Sequence, residues 1–144
     1  MEIGLQLEVI YQDNDLVEVR VSAWNGLFGG SSDVYLNKGE LRELAGKLRG
    51  FPNSSLDARD FTLGAFGPKT AGGHVLINFH CTDGSGHAHV EAKIESNDAA
   101  GSRQSATLFL PIEASAVDSF VDALSGLEES VNAAAFLTST IIPR

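Results

Sequence analysis

Ile3, Leu5, Leu7, Val9 and Tyr11 alternate with mostly polar neighbours, and Val17, Val19, Val21 and Ala23 repeat the pattern. Period-two alternation predicts two half-buried strands. "DND" at 13–15 joins them. A three-residue loop pairs Tyr11 with Val17 and Val9 with Val19, keeping both apolar sets on one side, whereas a two-residue loop would expose one set. The same register sets Glu8 opposite Arg20 and predicts a cross-strand ion pair.

In "WNGLFGGSSDVYL", residues 24–36, the alternation lapses. Gly26, Gly29 and Gly30 suit a tight bend there, and Val34 and Leu36 predict a short third strand. "NKGELRELAGKLRGFP" then predicts a helix, with Asn37 as cap, Glu40 completing a capping box, and Leu41, Leu44, Ala45 and Leu48 as its apolar stripe. Gly50 and Pro52 stop it. Phe61, Leu63 and Ala65 predict a fourth strand, ended by "FGPKTAGG". The fifth and sixth strands, 74–82 and 87–95, flank "DGSG", and Ala106, Leu108 and Leu110 mark a seventh. A second helix follows Pro111, with Val117, Phe120, Val121 and Leu124 at helical spacing.

Three strands, a helix, three to four strands and a second helix, β-β-β-α-β-β-β-α at the shortest, imply an α+β fold of two layers. In it, one antiparallel sheet of six to seven strands carries both helices on one face. Residues 1–144 read as a single domain. The tail 131–144 is open between a helical extension and a strand, and between covering the core and docking on a second copy.

The fifth and sixth strands fix their own register. Closing through "DGSG" pairs Thr82 with His87, so Cys81 faces Ala88, Phe79 faces Val90, Ile77 faces Ala92 and Val75 faces Ile94. Both apolar faces coincide, and Cys81 is expected as an inert core thiol. The other face then holds His80 opposite His89, His87 diagonal to His80, and Glu91 beside Asn78. Opposed residues bring their Cβ atoms to about 5 Å, so His80, His89, His87 and Glu91 form the candidate metal ligands. An open sheet face with no identifiable outer partners for the imidazoles favours a plain polar surface over a dedicated site.

Charge narrows the partners. The chain of 144 residues carries a formal net charge of −9 and a pI near 4.7, with no Lys/Arg cluster. That balance repels phosphate backbones and excludes a nucleic-acid role. A single cysteine excludes an internal disulfide and fits a reducing compartment. The alternating N-terminus lacks the basic start of a signal peptide, no apolar run reaches membrane-spanning length, and the expected address is the cytoplasm.

Candidate chemistry is sparse. "GGSSD" lacks the G-x-S-x-G spacing of a nucleophile elbow, and "GGSSDVYL" leads into a strand instead of the helix of a phosphate loop. Glu128, Glu129, Asp118 and Asp122 read as a solvated helix surface. No catalytic residue and no cofactor are expected. Trp24, Leu27 and Phe28 are the better functional candidates: large apolar groups in a glycine-rich bend either cap the core or form a rim that anchors a protein partner. Edge strands and the apolar tail residues Phe136, Leu137, Ile141 and Ile142 predict a homodimer.

The stretch "WNGLFGGSSDVYLNKGELRELAGKLRGFP", followed by "LGAFG", by "DGSGHAHVEAKI" and by an acidic-capped final helix, resembles a family of small bacterial proteins, a domain of unknown function. The likeness spans roughly residues 15–127. It carries the W-N-G-x-F-x-G-S-S bend and the leucine-rich helix ending in G-F-P. Members look like the small acidic proteins encoded near toxins, so the resemblance implies an immunity-type or regulatory inhibitor and brings no catalytic residue with it.

Overall fold

The computed structural model describes residues 2–64, 72–85, 87–97, 103–130 and 133–142. Ala65, most of "FGPKTAGG", Gly86 and the ends of the 131–144 tail lie outside the described residues.

The chain runs β1 (Gly4–Gln12), β2 (Leu16–Trp24), β3 (Gly29–Asn37), α1 (Glu40–Leu48), β4 (Ala58–Gly64), β5 (His74–Cys81), β6 (His87–Asn97), β7 (Arg103–Glu113), α2 (Ala114–Ser125), a 3-10 turn (Leu127–Glu129) and β8 (Ala134–Thr138). The fold is α+β and antiparallel, but the single sheet expected from the pattern is two. β3-β2-β1-β8 form one sheet and β4-β5-β6-β7 the other. Helices of 9 and 12 residues offer two narrow stripes, too little to cover a seven-stranded apolar face. Divided in two, each half-sheet helps to cover the other around one shared core. α1 and α2 pack on each other. α2 touches β8 of one sheet and β7 of the other, while α1 reaches β3, so the helices do not simply line one face of one sheet.

The 131–144 tail settles as the strand β8. It pairs with β1, Leu5 against Leu137 and Leu7 against Ala135, and buries both residues. Beyond it, the Thr140 amide and the Ser139 hydroxyl donate to the carbonyl of Pro111 at 2.9 and 2.8 Å. The tail therefore belongs to the first sheet and is latched to the second. On the other side, Ser32 of β3 donates its hydroxyl to the carbonyl of Glu95 at 2.8 Å, and the Gly73 amide donates to the carbonyl of Asp33 at 2.8 Å.

Four local expectations need correction. Val9 does pair with Val19 and Glu8 with Arg20, but a bulge at Ile10 moves Tyr11 opposite Glu18. Arg20 forms its ion pair with Asp33 on β3, through Nε and Nη2 at 2.8 and 3.1 Å, with both carboxylate oxygens meeting the guanidinium fork. Helix α1 starts from Gly39, at φ 87°, and not from an Asn37 cap. Asn37 ends β3 and its amide donates to Glu40 at 3.1 Å, while Glu128 accepts the Gly39 amide at 3.0 Å. Glu128 and Glu129 therefore hold α1 in place, the latter through Arg42, and are not an idle helix surface. Among the described residues no helix is long and apolar enough to cross a membrane.

Candidate functional site

The bend between β2 and β3 is built around Asn25. Its side-chain oxygen accepts the amides of Leu27 and Phe28 at 2.9 and 2.8 Å, and its own amide donates to the Phe28 carbonyl at 3.0 Å. With Gly26 at φ 97°, this Asx turn satisfies its own polar groups within four residues. So short a loop cannot fold back over the core. Leu27 is 80% exposed and Phe28 69%.

Trp24 behaves differently from its neighbours. It lies opposite Gly4 on one side and Gly29 on the other. Its ring covers Gly29 so closely that a Cβ there would come within 2.7 Å of Cε3. A glycine on a strand leaves bare backbone, and an aromatic ring laid across it restores the packing. Gly4 receives the same cover from Phe136 on β8, again with 2.7 Å to a would-be Cβ. Trp24 thus stays half-buried against the core, and of the three residues predicted as a rim only Leu27 and Phe28 stand free.

Between this bend and the tail lies a groove of about 1180 Å³. Ile3, Trp24, Leu27, Ile141 and Ile142 give it an apolar lining, and Glu2 is its one acidic lining residue. Ile142 is 84% exposed. The apolar residues along the chain mark both ends of this groove but not their meeting. Asn25, the residue that shapes the bend, went unnoticed, although Asn-Gly between two strands is a known turn signal.

The hairpin histidines occupy the outer face of the second sheet. The β5–β6 register is as expected throughout, with Cys81 opposite Ala88 and His80 opposite His89. The two imidazoles stack, centroids 5.7 Å apart and planes 20° from parallel. Glu91 lies between Asn78 and Phe109 in the neighbouring row. His87 is drawn away from the pair: its Nδ1 is 2.8 Å from Asp83 Oδ2 and its Nε2 3.6 Å from Glu113. The Asp83 carboxylate raises the His87 pKa, and the Ser85 amide, then His87, lower that of Asp83. Among the described residues no three His, Cys, Asp or Glu side chains gather in a geometry that would hold a metal ion.

Cys81 is half-buried at the margin of the core, not inside it. Its thiol donates to the Ser54 carbonyl at 3.4 Å, and burial pushes its pKa up, which disfavours the nucleophilic thiolate. No family model, curated protein or solved structure matches this chain.

Proposed function

We propose that the protein is a non-enzymatic interaction module that binds a protein partner through the bend and tail groove. The exposure of Leu27 and Phe28 on a rigid Asx turn carries this reading. Large apolar side chains held out on a fixed scaffold lose little entropy when covered, which is how hot-spot anchors work. The net charge of −9 and Glu2 in the groove's lining favour a partner segment that is apolar with basic flanks. The resemblance to small acidic proteins encoded near toxins supports an immunity-type inhibitor as the specific form of this role.

Affinity capture from native lysate tests the reading, comparing wild type with the Leu27→Ser/Phe28→Ser double variant. A partner retained by wild type, lost with the variant and released by salt is the expected result. Equal capture by both proteins would place binding elsewhere.

The stacking of His80 on His89 favours a second reading, a metal or small-ligand site on the hairpin formed by these two imidazoles. Calorimetry with Zn(II) on wild type and on His80→Ala/His89→Ala decides it. Equal weak heats from both would end it.

A further inference from the structure

The four sheet edges are not equally protected. β4 carries Arg59 and Asp60 in its first half, and β8 is only five residues long. On β3 the Asp33 carbonyl is already taken by the Gly73 amide. β7 differs from all three. It runs for eleven residues, pairs with β6 alone among the described residues, and from Gln104 to Leu110 contains no charge, proline or glycine. Phe109 on this edge is 55% exposed. Natural edge strands are usually blunted by charge, proline, bulges or shortness, because an unblunted one is a template for another strand.

The direction of the free groups follows from the tail. The Pro111 carbonyl accepts the Thr140 amide, so it points away from β6. Successive residues of a strand turn their polar groups to opposite sides, so Arg103, Ser105, Thr107 and Phe109 present their amides and carbonyls on the same outward edge. We propose that this edge pairs with β7 of a second copy of the chain, antiparallel about a two-fold axis at Ala106, joining two four-stranded sheets into one.

The register is determined by the groups available. Centring the axis on Ala106 sets Arg103 against Phe109 of the second copy and Ser105 against Thr107, so all four free residues of each strand are used, in about eight hydrogen bonds. An axis at Ser105 leaves Phe109 unpaired. An axis at Thr107 requires Pro111, which has no amide hydrogen and whose carbonyl is occupied. At the axis itself the two strands approach most closely, as a non-hydrogen-bonded pair, and alanine is small enough to meet its own copy there. Side chains also match: each Arg103, whose guanidinium faces Glu95 at 3.6 Å, comes opposite the other copy's exposed Phe109, an arrangement that occurs twice by symmetry. Apart from Arg103 the contact is uncharged, so the −9 of the chain is not concentrated at the seam.

Light scattering from micromolar to submillimolar concentration should give the mass of two 15.3 kDa chains. Thr107→Pro should give one chain with an unchanged circular dichroism spectrum, since the amide removed points outward and serves no bond within the sheet. In a Cys81→Ala background, Ala106→Cys should oxidise to a covalent dimer, while Gln104→Cys, displaced from the axis, should not. A wild-type mass of one chain overturns the proposal, as does a Thr107→Pro protein that remains dimeric. Should Thr107→Pro fail to fold, absence of the Ala106→Cys cross-link overturns it independently. Leu27→Ser/Phe28→Ser should remain a dimer, which separates this edge from the groove.

Discussion

The hydroxyl of Ser32 in the first sheet donates to the carbonyl of Glu95 in the second at 2.8 Å, across a gap that only Gly73 leaves open. A Cβ on Gly73 would fall 1.9 Å from the Ser32 oxygen and 2.4 Å from the Glu95 oxygen. One edge of the sandwich is thus joined by a side chain, a backbone amide and a missing methyl group acting together.

That seam predicts two unequal losses. Gly73→Ala must push backbone away from backbone and should cost at least about 3 kcal/mol, at the upper end of overpacking effects. Ser32→Ala leaves room but removes a donor from a buried carbonyl, and should cost about 1–2 kcal/mol. Urea unfolding curves with unchanged slopes would measure both. A Gly73→Ala protein as stable as wild type would mean that the sheets are not joined there.

Strand pairing was legible wherever two neighbouring alternations had to agree. Val75, Ile77, Phe79 and Cys81 match Ala88, Val90, Ala92 and Ile94 in one register only, and that register is observed. The division into two sheets was not legible, because alternation marks a buried face without saying what buries it. Ser32, Gly73 and Glu95 are far apart in sequence, and each reads locally as an ordinary loop or strand residue. The tail was ambiguous because "NAAAFLTST" suits either periodicity. Its strand form depends on the free edge of β1, where Gly4 makes room for Phe136. The groove was half legible: apolar residues in a glycine-rich bend were evident, but Ile141 arrives from the opposite end of the chain.

Two histidines should act on stability with opposite signs. Burial holds the His74 imidazole below its ordinary 6.5, although the Glu95 carboxylate pulls the other way. The folded protein then binds fewer protons than the unfolded chain, so the His74 contribution is full above pH 6.5 and is lost as pH falls. His87 is raised by Asp83, so its contribution is full below pH 6.5 and is lost as pH rises through the raised value. His74→Gln should flatten the acid limb of a urea-midpoint profile between pH 7.5 and 5. His87→Gln should instead lower the midpoint at pH 5 more than at pH 8. An acid limb as steep in His74→Gln as in wild type would remove His74 from the account.

Within the bend, one residue should matter for stability and two should not. Trp24→Ala uncovers Gly29 and removes a half-buried ring, for an expected loss of about 2 kcal/mol, below the roughly 3–5 of a fully buried one. Leu27→Ser and Phe28→Ser touch exposed side chains and should stay within about 0.5 kcal/mol of wild type. Thermal melts of the three variants check this. Large losses at Leu27 or Phe28 would mean that the two cap the core.

The tail offers the sharpest separation between packing and latching. Leu137 is fully buried on β8, and Leu137→Ala should cost about 2–5 kcal/mol through the cavity it leaves. Ser139 and Thr140 bury little apolar surface, yet both donate to the carbonyl of Pro111. Ending the chain after Thr138 keeps the strand, releases the latch, and also removes the Ile141 side chain packed on the core and the Ser139 amide bond to the Ile3 carbonyl. The truncated protein should lose about 2–4 kcal/mol, the sum of a few hydrogen bonds and one half-buried isoleucine. Hydrogen exchange locates the effect. Amides of β8 should stay protected while the Ile112 region of β7 opens faster, because removing Ser139 and Thr140 frees that edge and leaves the Leu137 packing intact. If β8 amides exchange as freely as those of β7, strand and latch form one cooperative unit, and the tail holds the first sheet together as well as tying it to the second.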